Sequence, residues 1–341
     1  LARESRAHYN RRMASGLVPL PARNAIARTI LSPTSGYIAQ AGFTHSLTPA
    51  RNCTFACSYC YVPSLRVQGG LKPEDWRRWG QFTTFKSNAA ELLRRELARP
   101  GYRCEMIALG ANPDPYQPVE REWRITRGVL EVLAECDHPV GIVTKSAMVE
   151  RDIDILSAMA KKNLAGVYLS VNNLDHDVSR RLESRTSAPA RRLQAIRRLA
   201  EAGIPVGVIV APVIPFLTDH QIEPVLEAAH AAGARSAGYI LMRLPWELKD
   251  LFKAWLEEHY PLKAAHVMSR VRQMREGREN DASFGSRMKG RGELADLLQQ
   301  RFDIACRRLG LNTGKRNAVL DTTLYRAPRP PGADGPQLSL F

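Results

Sequence analysis

The chain has no apolar run approaching the ~18–20 residues that a membrane span requires. Its first residues, LARESRAHYNRRM, lack the apolar stretch of a secretory signal. From these two absences we expect a cytoplasmic protein with no membrane partner. Acid is scarce as well: 34 Asp and Glu stand against 49 Lys and Arg, which leaves a net charge of +15. An excess of that size attracts polyanions, and nucleic acid is the partner it favours. A GC-rich genome that prefers Arg to Lys would give the same excess without a partner. Hydrophobic content of 44% is ordinary, so the 341 residues can bury one large core or two smaller ones.

Cysteine is sparse, and its distribution is uneven. A cytosolic chain of this size does not need disulfides. Cys104, Cys136 and Cys306 lie far apart in sequence and read as small buried residues. Cys53, Cys57 and Cys60 fall within eight residues of the stretch NCTFACSYCY, with C-x3-C-x2-C spacing. No second CxxC accompanies them. Structural zinc is usually held by four ligands in two paired knuckles. A zinc reading would therefore have to borrow a histidine such as His45. Three bunched thiols ask for a metal or a cluster, and they leave one coordination position open.

Beyond about residue 48, short apolar runs alternate with helical patterns, the signature of parallel βαβ units. Strands are expected at 106–111, 139–146, 166–172, 204–215 and 236–245, with a further one inferred near 44–47. Helices are expected at 120–136, 152–162, 188–202 and 222–232. Six repeats give an α/β fold, a partial (β/α)6 TIM-like barrel, whose ligands sit at the C-terminal ends of the strands. The domain reading is a basic N-terminal arm over 1–45, the barrel over 46–262, a helical region over 263–324 and a Pro/Gly-rich tail over 325–341. The glycine-rich basic segment 284–293, FGSRMKGRGE, could contact a nucleic-acid backbone. The arginine pairs at 191–192 and 197–198 read as a solvated helix face.

The cysteine spacing, with Tyr59 before the last cysteine and βα repeats after it, resembles the radical S-adenosylmethionine (radical SAM) superfamily. In that family three cysteines bind three irons of a [4Fe-4S] cluster, and the open iron chelates the methionine moiety of SAM. Electron transfer from the cluster then cleaves SAM to methionine and a 5′-deoxyadenosyl radical. The stretches NPDPYQPVEREWRITRGVLEVL, IVTKSAMVERDIDIL and VYLSVNNLDHDVSRRLESRTS are similar to the branch that contains spore photoproduct lyase. The resemblance implies Cys53, Cys57 and Cys60 as cluster ligands, and Asp114 and Lys145 as partners of the SAM amino and carboxylate groups. Ser170 and Asn172 would reach the ribose or carboxylate, Glu183 and Arg185 would clamp polar groups of SAM, and the chain around Pro212 would face adenine. Tyr59 and Tyr61 would wall the cluster. The branch places a hydrogen-donor cysteine where this chain has Gly110–Ala111, so Tyr116 or Tyr239 would have to donate instead.

The function expected from the resemblance is a lyase-type DNA-repair enzyme acting on damaged pyrimidines, a monomer served by an external electron donor. Two alternatives stand: a radical SAM enzyme that modifies RNA or a peptide, and a non-catalytic iron–sulfur DNA-binding protein. The segment QLSLF (Gln337, Leu338, Ser339, Leu340, Phe341) looks like the motif that docks on the bacterial replication sliding clamp. There, Leu338, Leu340 and Phe341 would act as apolar anchors and Gln337 as a hydrogen-bonding rim.

Overall fold

The computed structural model describes residues 22–60, 80–283, 285–313 and 319–328. Its strands are β1 (Ala22–Ala25), β2 (Leu31–Pro33), β3 (His45–Leu47), β4 (Ala50–Arg51), β5 (Thr83–Lys86), β6 (Ile107–Leu109), β7 (Val140–Thr144), β8 (Ala165–Ser170), β9 (Val206–Val213) and β10 (Ser236–Leu241). Helices of seven residues or more are α1 (Ala89–Leu97), α2 (Ile125–Glu135), α3 (Ile153–Ala160), α4 (His176–Leu182), α5 (Pro189–Glu201), α6 (Ile222–Ala231), α7 (Leu248–His259), α8 (Pro261–Gln273) and α9 (Glu293–Arg308).

Seven strands form one open sheet in the order β10-β9-β8-β7-β6-β3-β2. The six from β3 to β10 run parallel, and β2 adds an antiparallel edge on β3. Among the described residues β2 and β10 do not pair with each other, so the barrel is partial, as the six-repeat reading expects. A small second sheet, β1-β5-β4, lies at the start of the cysteine loop. Strands of two to four residues carry almost no period, so this sheet leaves no signal in the sequence.

Side-chain alternation decides what each face of the large sheet does. In β8, Val167 and Leu169 point outward and are fully buried under helices, while Gly166 and Tyr168 point into the lumen and are only half-buried. The outward residues join one apolar cluster with Val129, Leu130 and Leu133 of α2, Ile196 and Leu199 of α5, and Phe302 of α9. The C-terminal helix α9 therefore belongs to the core of the barrel, and the Arg301–Glu223 pair at 2.7 Å fastens it to α6. Some inward positions are glycine, which makes room for the rings of Phe43 and Tyr168. A Cβ added to Gly141 would lie 2.5 Å from two ring atoms of Phe43.

Local signals set most helix ends. Asp175 caps α4, accepting from the amides of Asp177 at 2.8 Å and Val178 at 3.0 Å. Pro189 opens α5, and Gly203, at φ +75°, ends it. The expected helix over 120–136 is broken at Arg124, whose φ of 50° separates a one-turn helix, Glu120–Trp123, from α2. The N-terminal residues 1–21, Phe284, and the QLSLF segment lie outside the described residues.

Candidate active site at the cysteine loop

The cysteine loop follows β4 and is fastened from three directions. From the segment after β6, the fully buried Gln117 accepts from the Thr54 amide at 2.8 Å and donates to the Asn52 carbonyl at 3.2 Å. From the last residue of α4, the Leu182 carbonyl accepts from the Ser58 amide at 2.9 Å. Arg185 then donates to the carbonyls of Thr54 at 3.1 Å and Gly80 at 2.7 Å. Asn52 and Ala56 take left-handed backbone, at φ 62° and 49°, which curls the loop around the cavity mouth.

Cys53, Cys57 and Cys60 line one cavity of about 1590 Å³ that runs down the barrel lumen to the starts of β9 and β10. Ordinary small-ligand sites hold roughly 300–1,000 Å³, so this one has room for two reactants. Cys53 and Cys57 are buried in an apolar cluster with Phe55, Tyr59, Phe82, Ile214, Met242 and Leu244. Helices α7 and α8 complete that cluster through Leu248, Phe252, Leu256 and Val267, so water is held away from the loop. Burial pushes both thiols well above their ordinary range, with neighbouring acids adding to it: Asp114 at Cys53 and Glu183 at Cys57. Buried thiols of this kind ionise when a bound cation takes up the charge. Among the described residues no three His, Cys, Asp or Glu side chains are arranged to hold a single metal ion. The donor set is three thiols spread around a dry recess, which suits a multi-iron cluster.

Asp114 and Lys145 both reach the cavity wall. The Asp114 carboxylate is already occupied: it accepts from the Tyr116 amide at 2.9 Å, the Thr144 hydroxyl at 2.8 Å and the Lys145 amide at 2.7 Å. Burial raises its pKa, and those three donors pull it back. The carboxylate therefore fixes the end of β7 and with it the stem of Lys145, whose ammonium stands 6.0 Å from the centre of the Tyr59 ring. Ser170 and Pro212 also line the cavity, and the Ala211–Pro212 peptide is cis.

Other residues singled out in the sequence do not line it. Tyr116 is fully buried outside the barrel, beside Arg151 at 5.8 Å, and Asp152 raises its pKa further. Tyr239 points away from the lumen, since its neighbours Gly238 and Ile240 face inward, and its hydroxyl donates to Gln299 at 2.9 Å. Asn172 is buried against Asn173, with its Oδ1 accepting at 2.7 Å. Glu183 is buried between the Tyr59 hydroxyl and the Arg192 guanidinium. Burial raises the Glu183 pKa, and Arg192 opposes that rise.

Arg192 departs from the expectation of a solvated helix face. Arg191 and Arg198 are exposed, but Arg192 is 1% exposed. It donates to the Ser170 carbonyl at 2.7 Å, the Ser187 carbonyl at 2.6 Å, the Thr186 hydroxyl and Glu183. The LESR turn is thus a brace between the end of β8 and the cysteine loop. Sequence reasoning also missed Tyr37 and Tyr168, both of which line the lumen. Extending the alternation backward from Ser170 would have found Tyr168.

The wall has a decided sign. Arg51, Lys86, Lys145, Arg235, Arg243 and Arg287 line the cavity, and among the described residues Asp114 is the only acid. No cysteine beyond Cys53, Cys57 and Cys60 lines it among the described residues.

Comparison with known proteins agrees with this geometry. A family model described as the radical SAM superfamily matches residues 47–229. An uncharacterized protein of Mycobacterium tuberculosis is 31% identical over 234 residues, 68% of this chain and 67% of that one. An uncharacterized protein of Methanocaldococcus jannaschii is 26% identical over 209 residues, 61% of this chain and 73% of that one. Among solved structures, a spore photoproduct lyase variant with bound AdoMet and dinucleoside spore photoproduct aligns with a TM-score of 0.59 at 17% identity, covering 87% of each chain. Another variant of that lyase aligns at 0.61 and 17% identity over 90% of this chain and 84% of that one. At such identities the likeness is one of fold.

Proposed function

Since the chain belongs to the radical SAM superfamily, its cofactors are a [4Fe-4S] cluster and S-adenosylmethionine, and we propose that it turns their chemistry on DNA, as a lyase-type enzyme that repairs a damaged pyrimidine. When bound, the pair supplies one-electron cleavage of SAM to methionine and a 5′-deoxyadenosyl radical, with the electron coming from an external donor.

The residues of this chain have four tasks in that reading. Cys53, Cys57 and Cys60 hold the cluster at the mouth of the lumen. Lys145 offers its ammonium to the carboxylate of SAM, and Asp114, through the Lys145 amide and Thr144, keeps that lysine in place. Ser170 and Pro212 form the walls against which the nucleoside half of SAM lies. The apolar cluster of Phe55, Tyr59, Phe82 and Met242 keeps water from reactive species. Glu183, Arg185 and Arg192 hold the cysteine loop in place.

The observation that carries the DNA reading is the charge of the wall. Among the described residues six cations and a single acid line the cavity, and that acid is consumed internally, which favours a polyanionic substrate entering at the mouth. The solved lyase with a bound dinucleoside lesion supports the same reading by its fold. A base paired in a duplex would have to be extruded to reach the lumen, which favours a weakly paired, damaged one. The test is anaerobic incubation of the reconstituted chain with SAM, reductant and either irradiated or undamaged DNA. Loss of a defined photoproduct supports repair, whereas SAM cleavage that leaves irradiated DNA unchanged moves the reading to RNA or a peptide. The residues Gln337, Leu338, Leu340 and Phe341 would recruit the enzyme to a sliding clamp. Equal clamp binding by the full chain and one ending at Pro336 would remove that part.

A further inference from the structure

Trp246 is 63% exposed, a large indole left in solvent where the chain turns from β10 into α7. Its backbone φ is 46°, a conformation that bulky residues rarely adopt and that persists only where surrounding structure imposes it. The neighbours do impose it: Pro245 and Leu248 on either side are buried, and the Leu248 amide donates to the Pro245 carbonyl at 3.1 Å. The indole is thus held outward at the C-terminal mouth of the barrel, on the wall of the cavity that contains the cysteines.

The same indole also lines a shallower depression of about 480 Å³ on its outer side, shared with Lys249, Arg272 and Arg278. Among the described residues Glu279 is the acid lining it, taken up by Lys253 at 2.7 Å and Arg272 at 3.2 Å, while Arg278 pairs with the half-exposed Glu276 at 2.9 Å. Lys249 is exposed and has no acidic partner among the described residues. Asn280 stands on both walls, and its buried Oδ1 accepts no hydrogen bond. An exposed aromatic face therefore separates the reaction cavity from a cationic depression.

That order of parts matches what an unpaired nucleic-acid strand presents. Bases offer π-faces that stack on aromatic side chains whatever their identity, and phosphates follow at the spacing of the backbone. We propose that Trp246 is a stacking platform for a base of an unpaired DNA strand at the cavity mouth, with Lys249, Arg272 and Arg278 taking the phosphates beside it. This rests on the reading of DNA as substrate. It adds where the strand lies and why extruding one base is favourable: the stack lost in the duplex is partly replaced on the indole.

The experiment uses the full chain with its cluster reconstituted and a fluorescent single-stranded DNA octamer, titrated at several salt concentrations. Trp246→Ala weakens binding about tenfold, the lower part of the range for losing one base–aromatic stack. Its salt dependence stays that of the wild type, because no ion has been removed. Trp246→Phe keeps affinity within about threefold, since a smaller π-face remains. Lys249→Gln, on an exposed side chain that folding does not need, lowers the slope of log affinity against log salt by about 0.7. Iron content and SAM affinity stay unchanged in all three. Equal octamer affinity in wild type and Trp246→Ala, with iron content intact, overturns the platform while leaving DNA as substrate. Tighter binding of the same sequence as RNA also overturns it. Failure of the wild type to bind DNA even at low salt removes the DNA reading together with the platform.

Discussion

Replacing Arg185 by alanine separates two roles for one residue. As a clamp on SAM, the guanidinium would matter to SAM affinity and leave the cluster alone. In the structure it donates to the carbonyls of Thr54, just after the first cysteine of the loop, and Gly80, beyond the last, at 3.1 and 2.7 Å. A hydrogen bond from a charged donor is worth ~1.5–3 kcal/mol, and some of that returns when a freed carbonyl meets water. The pair together then holds the loop closed by ~2–4 kcal/mol. If iron leaves through opening of the loop, the rate of loss rises by the same Boltzmann factor, about 30-fold to 1,000-fold. The assay is anaerobic loss of the cluster's visible absorbance in the presence of an iron chelator, for wild type and Arg185→Ala, with SAM affinity measured on the freshly loaded proteins. Faster loss with nearly unchanged SAM affinity supports the brace. An unchanged loss rate with SAM bound tenfold more weakly refutes it and returns Arg185 to the SAM site.

Lys145→Ala weakens SAM binding by ~10–150-fold without loss of iron, the worth of one charge-assisted contact, as read by equilibrium dialysis. Gly141→Ala forces a Cβ to within 2.5 Å of the Phe43 ring and costs ~1–3 kcal/mol in denaturant unfolding. His138 is fully buried: its Nδ1–H can only donate to the Pro139 carbonyl, so its Nε2 accepts from Tyr102 at 2.9 Å. Burial lowers its pKa from 6.5 to about 4, so its contribution is complete above pH 6.5 and is lost as pH falls toward 4, by about 3 kcal/mol over the window. His138→Gln should remove that part of the acid dependence, measured as unfolding free energy at pH 7 and pH 4.5.

The barrel was largely legible because its strands are continuous apolar runs closed by polar residues or proline. Five of the six parallel strands fall within the segments expected for them, and β8 starts one residue early, at Ala165. The cysteine triplet was legible because chemistry fixes its spacing locally. What was hidden depends on direction and distance. The sequence cannot show that Arg192 folds inward while Arg191, its neighbour, stays in solvent. Nor can it show that the three donors around Asp114 come from Tyr116, Thr144 and Lys145, up to 31 residues away. The same limit explains Tyr116, past the end of β6, and Tyr239, within β10, which face the helices while Tyr168 faces the lumen.

The central claim is that Cys53, Cys57 and Cys60 hold a cluster that cleaves SAM, and one anaerobic measurement bears on it most directly. The reconstituted chain is mixed with SAM and a strong reductant, and 5′-deoxyadenosine and methionine are quantified alongside bound iron. Both products are expected from the wild type and from a variant with Cys104, Cys136 and Cys306 all changed to alanine, each with about four irons per chain. Neither product is expected from Cys57→Ala. SAM cleavage by Cys57→Ala, or loss of the cluster only in the triple variant, would contradict the claim.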